Sequence, residues 1–209
     1  DIYPLQEQAR RSELGLDKAA YREQLGGLMS RFAEVAARNP YAMFEAPATL
    51  EAIRDESQKN RMISDPHLKS MVAKDGVNQA AALVMTRYET AESLGVADRA
   101  IFLHGHATGS EPAVLNRPSL AQAESMTAAY HGALRNAGIE AHQLGAMDLY
   151  SCFPIAVWCA MDALGVTLDD PRPLTLTGGL SFFGGPGNNY STHGIAEMVH
   201  WLRARSEPS

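Results

Sequence analysis

The sequence predicts an α/β fold with a largely parallel sheet. Three observations carry that expectation. Apolar runs of strand length alternate with stretches that are apolar at helical spacing. Capping and glycine signals fall between them. The chain of 209 residues, 45% hydrophobic and 20% charged, has the balance of an ordinary soluble globular protein. A chain of this length buries roughly 70% of its unfolded surface, enough for one domain or two small ones.

Residues 1–76 read as a helical loop region wrapped on something else. Tyr21, Leu25, Leu28, Phe32 and Val35 form one apolar helical face that ends before Asn39–Pro40. Pro47 reads as a second helix start with Leu50 and Ile53 inward, and "SDP" at 64–66 as a cap with Pro66 in the first turn. Residues 77–209 read as the α/β domain. "VNQAAALVM" (77–85) is a strand candidate, and "TRYE" (86–89) is a capping box opening a helix that ends at Gly95. "AIFLHGHA" (100–107) is the next strand. "SLAQ" (119–122) opens a helix with Leu120, Ala123, Met126, Tyr130 and Ala133 on one face, closed near Gly138. "AMDLYS" (146–151) is a third strand, and Pro154 starts a helix that runs to Gly165. "LTLT" (174–177) is a fourth strand, and Ile195, Met198, Val199 and Leu202 line the last helix. The chain opens on "DIYP" and stops soon after that helix without another strand, so both ends read as cut.

Composition narrows the function classes. A net charge of −6 argues against nucleic acid as a partner. No apolar run approaches the ~20 residues of a membrane span, and the N-terminus is no signal peptide, so a cytoplasmic location is expected. Cys152 and Cys159 on one helix would lie about 10 Å apart, too far for a disulfide, and are expected as free thiols.

Two strand-to-helix junctions attract attention, because ligands gather there in sheets of this kind. In "DLYSCFP" (148–154), Cys152 sits at a helix N-terminus whose dipole would lower its pKa, making it a better nucleophile than Cys159. From the residues alone the reading as a small buried hydrophobe comes first, since free cysteines are among the most buried residues. In "TGGLSFFGGPGNNYSTHG" (177–194), six glycines precede the last helix. The N–H groups of Gly184, Gly185 and Gly187 could bind an oxyanion, or the glycines could serve close packing. His104 and His106 share a face of a strand, a weak metal signal, and no metal is expected. His193 is either a site histidine or a first-turn residue.

The run from "NRMISDPHLKSMVAKDGVNQAAALVM" through "DLYSCFP" to "TGGLSFFGGPGNNYSTHG" resembles thiolase-like acetyl-CoA acetyltransferases, closest to the sterol-carrier-protein type. The resemblance implies the thiolase fold of αβαβα layers, with residues 1–76 bridging to a missing N-terminal half and residues 77–209 forming the C-terminal half without its last strand. It implies an acyltransferase of lipid metabolism whose substrate is a coenzyme A thioester, with no bound cofactor. It implies a homodimer or association with an N-terminal thiolase half. "YSCF" (150–153) stands where the family has "HDCF", with Tyr150 in place of the histidine. "GGP" (184–186) stands where it has "GHP", with Gly185 in place of the histidine. The implied catalytic residues are Cys152, Tyr150 and His193. The implied substrate-binding residues are Gly178, Gly179, Gly184, Gly185, Pro186, Asn188, Asn189 and Phe153. With the nucleophile region and the late "CxG" strand absent, the chain alone is expected to be inactive as a thiolase. The alternatives are a binding or partner subunit without thiolase activity, and a thiolase-like retro-aldolase.

Overall fold

Asp17 starts the longest helix. Its carboxylate accepts the Ala20 N–H at 2.8 Å and caps α2 (Lys18–Ala36). The expected apolar stripe follows: Tyr21, Leu25, Leu28 and Phe32 are fully buried, joined by Met29. The computed structural model describes residues 2–47 and 49–205.

α1 (Tyr3–Glu13) carries Pro4 in its first turn. Both α1 and α2 pack on α6 (Pro154–Leu164), which is covered on its other side by α5 (Glu124–Ala137). Nine of the eleven residues of α6 are buried, as a helix apolar all round must be. Gly138 and Gly165 close α5 and α6 in the left-handed conformation, with φ of 70° and 65°. Buried Glu7 ties three elements together: it accepts from the Tyr21 hydroxyl, and its other oxygen lies 3.2 Å from His67 Nε2.

Several expectations about boundaries are corrected. α3 (Leu50–Arg54) starts after Thr49, whose hydroxyl accepts the Ala52 N–H, and not at Pro47. "SDP" is a turn rather than a helix cap. It joins the antiparallel strands β1 (Met62–Ser64) and β2 (His67–Leu68), and the Asp65 carboxylate is taken by Lys18 and Gln8. α4 (Tyr88–Ser93) has no side-chain cap, so "TRYE" forms no capping box. "SLAQ" forms none either: Ser119 Oγ accepts the Ala121 N–H, and α5 begins at Glu124.

The expected parallel sheet is the largest correction. Among the described residues the one sheet is the β1–β2 hairpin, and 77–85, 100–107, 146–151 and 174–177 carry no strand. A strand needs a neighbour's N–H and C=O along its length. The stretch 146–151 finds two such bonds, Met147 N–H to Pro173 O and Leu149 N–H to Leu174 O, each 2.9 Å. The ladder stops there because the Asp148 side chain takes the next two N–H groups, those of Leu176 and Thr177. The stretches 77–85 and 100–107 have no ladder, and Val84, Met85, Phe102 and Leu103 stand exposed. The αβαβα layering is therefore not formed by the described residues. α7 (Tyr190–Arg203) keeps its apolar stripe, but Ile195 is exposed and Met198, Val199 and Leu202 are half-covered. No described helix is long and apolar enough to cross a membrane.

Candidate functional site

Asp148 organises the junction between "DLYSCFP" and the glycine-rich loop. Its Oδ2 accepts four donors: the N–H groups of Leu176 (2.7 Å) and Thr177 (2.9 Å), and the hydroxyls of Thr175 and Thr177 (3.1 Å each). Thr177 Oγ1 also lies 2.7 Å from the hydroxyl of Tyr190, the first residue of α7. Next along the chain, buried Ser151 accepts the Leu180 N–H at 3.0 Å. These bonds fix Tyr150 and Cys152 against the loop and α7.

The centre of the junction is a small apolar kernel of Leu180, Phe183 and Tyr190, on which Cys152, Ala73 and Ala42 pack. The Tyr150 ring, 45% exposed, meets Tyr190 edge-on at 5.6 Å. His193, almost fully buried, meets Phe183 edge-on at 5.2 Å, and its Nε2 has no partner. The three residues expected to be catalytic are thus brought round one kernel. No hydrogen bond joins Cys152 to His193 among the described residues.

Cys152 and Cys159 are both free thiols, as expected. At Cys152 the pull of the helix N-terminus is outweighed. Burial pushes its pKa up, and hydrogen bonds from Tyr3 and the backbone at Phe153 and Cys152 only partly offset that. Cys159, deeper in α6, is pushed to about 11, chiefly by burial. Tyr3 shares a hydrogen bond with the Cys152 thiol, and its hydroxyl is held at about 12, first by Cys152 and then by burial. Burial and Cys152 also raise Tyr150, so both phenols stay protonated and act as donors. Burial lowers His193, with Glu197 opposing, which leaves the imidazole neutral at pH 7.

Gly178, Gly179, Gly184 and Gly185 sit where a β-carbon would meet a neighbour, whereas Gly187 has open space. Gly178 has a φ of 104°, and a β-carbon there would run into Ala36 at the end of α2. At Gly184, with a φ of 134°, it would strike the Gln79 side chain. Gly179 lies against Phe32 and Ser151, and Gly185 against the Lys74 carbonyl. Of the three N–H groups expected to face an oxyanion, those of Gly185 and Gly187 donate to Lys74 O and Gly185 O (2.8 Å each), and that of Gly184 makes only a long contact to Gly179 O (3.5 Å). Pro186 leads into the short turn before α7, where Asn188 is exposed. The Asn189 amide is a clamp: it accepts the Ala81 N–H at 2.8 Å and donates to Ala81 O at 3.1 Å. Phe153 stacks on Tyr3 at 4.2 Å and turns into the core.

His104 and His106 are exposed, and no cluster of metal-ligating side chains occurs among the described residues. A cavity of about 710 Å³ between α5 and α6, lined by Glu124, His131, Cys159 and Asp162 among others, contains none of the expected site residues. Sequence reasoning missed Asp148, Ser151, Tyr190 and Tyr3. One signal was present: Thr175 and Thr177 alternate, which puts two hydroxyls on one side of the "LTLT" stretch.

No protein-family model and no curated protein matches the chain. Among solved structures it is similar to a monomeric SCP2-thiolase-like protein type 1 (STLP1) from Mycobacterium smegmatis, at 46% identity and a TM-score of 0.92. That match covers 97% of this chain and 45% of the other. It also shares its fold with an Ltp2–ChsH2(DUF35) aldolase, at 18% identity and a TM-score of 0.70, covering 96% of this chain and 55% of that one. The chain thus spans about half the length of the structures it matches, and over that span it is thiolase-like in sequence and fold.

Proposed function

We propose that this polypeptide supplies one wall of an acyl-coenzyme A thioester site in a thiolase-like protein. There it binds and polarises the thioester, and it does not carry a complete acyltransferase centre of its own. The carrying observation is the gathering of Cys152, Tyr150 and His193 round the Leu180–Phe183–Tyr190 kernel, with the buried His193 Nε2 unpartnered. A protonated phenol is a suitable donor to a thioester oxygen as charge develops on it. Two features weigh against Cys152 as an activated nucleophile: its raised pKa, and Gly185 where the resemblance implies a histidine base.

Alkylation of the two thiols by iodoacetamide tests this. The expected outcome is that Cys152 reacts faster than Cys159, because it is the less buried, yet more slowly than free cysteine at neutral pH. Its rate should climb as the pH rises past the ordinary thiol range. A Cys152 that outpaces free cysteine at neutral pH would mean an activated nucleophile and would return the site to acyl transfer through that residue.

A second reading is favoured by the pair of phenols. In a retro-aldol cleavage of an acyl thioester, a neutral tyrosine can return a proton to the departing enolate. Tyr150 is placed and protonated for that step, and the aldolase neighbour shares the fold. Replacing Tyr150 by Phe in the complete enzyme should then abolish cleavage while leaving thioester binding intact.

The exposed apolar residues Val84, Met85, Phe102, Leu103 and Leu115 lie where we place the remaining thiolase half. The relative from Mycobacterium smegmatis is described as monomeric and is more than twice as long, which favours its kind of second half over a second copy of this chain as the cover.

A further inference from the structure

Lys74 lies beside the candidate site. Its backbone is held in place on both sides: Lys74 N–H donates to Leu180 O at 3.1 Å, and Lys74 O accepts from Gly185 N–H at 2.8 Å. Its neighbour Ala73 packs on the kernel with Cys152, whereas the Lys74 ammonium lies over two other rings. Nζ is 4.8 Å from the centre of the Phe44 ring and 5.6 Å from that of Phe182, and Phe182 is fully buried. Among the described residues no hydrogen bond or ion pair reaches this nitrogen. By contrast Lys18 is paired with Asp65 at 2.7 Å.

An amine becomes nucleophilic when its surroundings disfavour the ammonium form, through an apolar wall or a second cation. Both are present here. The side chain is half-buried against aromatic carbon, and burial first, then the charge of Lys69, lowers its pKa from the ordinary lysine value. The ring faces give back part of the cation's stability but offer no acceptor for its protons. The residue as a whole is half-buried and not closed off from solvent.

We propose that Lys74 is a site of self-acylation, at which the ε-amine attacks the carbonyl carbon of an acyl thioester. The amine's lone pair forms the new N–C bond. The C–S bond breaks with its electron pair on sulfur, and the proton lost by nitrogen ends on the departing thiolate. The products are an amide on Lys74 and a free thiol, with no oxidant, reductant or metal involved. The claim takes its electrophile from the proposed function but uses none of the residues assigned there.

The chain has four lysines, Lys18, Lys59, Lys69 and Lys74, so the test reads a ranking. The full chain is treated separately with trace acetic anhydride and with S-acetyl-N-acetylcysteamine, a small thioester without a nucleotide. Initial acetylation at each lysine is followed by peptide mass spectrometry. With both reagents Lys74 should be acetylated at least about fivefold faster than Lys59 and Lys69. Removing one ring wall by Phe44→Ala should bring Lys74 down to the rate of Lys59, with the circular dichroism spectrum unchanged. A Lys74 no faster than Lys59 towards the anhydride overturns the proposal. So does a fast anhydride reaction with no matching preference towards the thioester, and so does a preference that survives Phe44→Ala. None of these outcomes depends on Cys152, so failure here is distinct from failure of the thioester-site reading, which is decided by thiol alkylation.

Discussion

Phe32 and Leu115 are both large apolar side chains, yet one is fully buried and the other is 97% exposed. They stand for two regions. In the interior formed by α1, α2, α5 and α6, each apolar stripe meets another stripe of the same chain. In residues 77–116, polar contacts such as Asn189 with Ala81 and Asn136 with His106 O tie the backbone to the rest of the chain, but Val84, Phe102 and Leu103 face outward with Leu115. The difference teaches that a pattern of apolar residues states a demand for burial, and that the partner meeting the demand is a tertiary fact. Local sequence carries the first and not the second.

The sharpest way to break this comparison is to truncate one residue from each region. Phe32→Ala should cost about 3–5 kcal/mol in urea unfolding, the range for emptying a packed aromatic site. Leu115→Ala should change stability by no more than about 0.5 kcal/mol, as an exposed position does. Comparable losses at the two positions would mean that the 77–116 stretch finds a packed environment within this chain, and the contrast would collapse.

Much of the closed region was legible because its information is local. The α2 stripe, Pro154 at the start of α6, and Gly138 and Gly165 at the helix ends follow from spacing and from backbone preferences that neighbouring residues share. The start of α6 just after Cys152 was legible for the same reason, whereas the strand expected before it is not formed. The rest depends on distant pairings. Asp148 ends the ladder by accepting from groups at 175–177, and Tyr3 reaches Cys152 from the opposite end of the chain. No spacing rule connects such residues. The glycine-rich loop shows the limit most clearly. Its glycines fit both packing and oxyanion binding in sequence, and Ala36, Gln79 and the Lys74 carbonyl, each remote along the chain, decide for packing.

Asp148 sharpens the comparison at a middle scale, because it ties the 146–151 stretch to the loop and the first turn of α7. Asp148→Ala removes the acceptor for two N–H groups and two hydroxyls at once. Leaving such donors half-buried without a partner should cost about 2–4 kcal/mol, less than emptying the Phe32 site but well above any exposed position. The same variant should loosen α7 through Thr177 and Tyr190, so hydrogen exchange at 190–194 should quicken while α6 stays protected. Uniform loss of protection across both helices would mean that Asp148 supports the whole core and not this junction alone.

The smallest effect belongs to His193, which carries the comparison down to a single proton. Burial against Phe183 disfavours its charged form, so its pKa is lower in the folded chain than in the unfolded one. Below the ordinary histidine value of about 6.5, the unfolded chain takes up a proton that the folded chain refuses. Stability from this group is therefore present above that pH and is lost as the pH falls through the folded pKa. His193→Asn, which keeps a polar group but cannot titrate, should flatten the stability profile in that acidic window. If the profile keeps its slope without His193, burial against Phe183 does not hold down the charge of this imidazole, and the junction at α7 is open to water there.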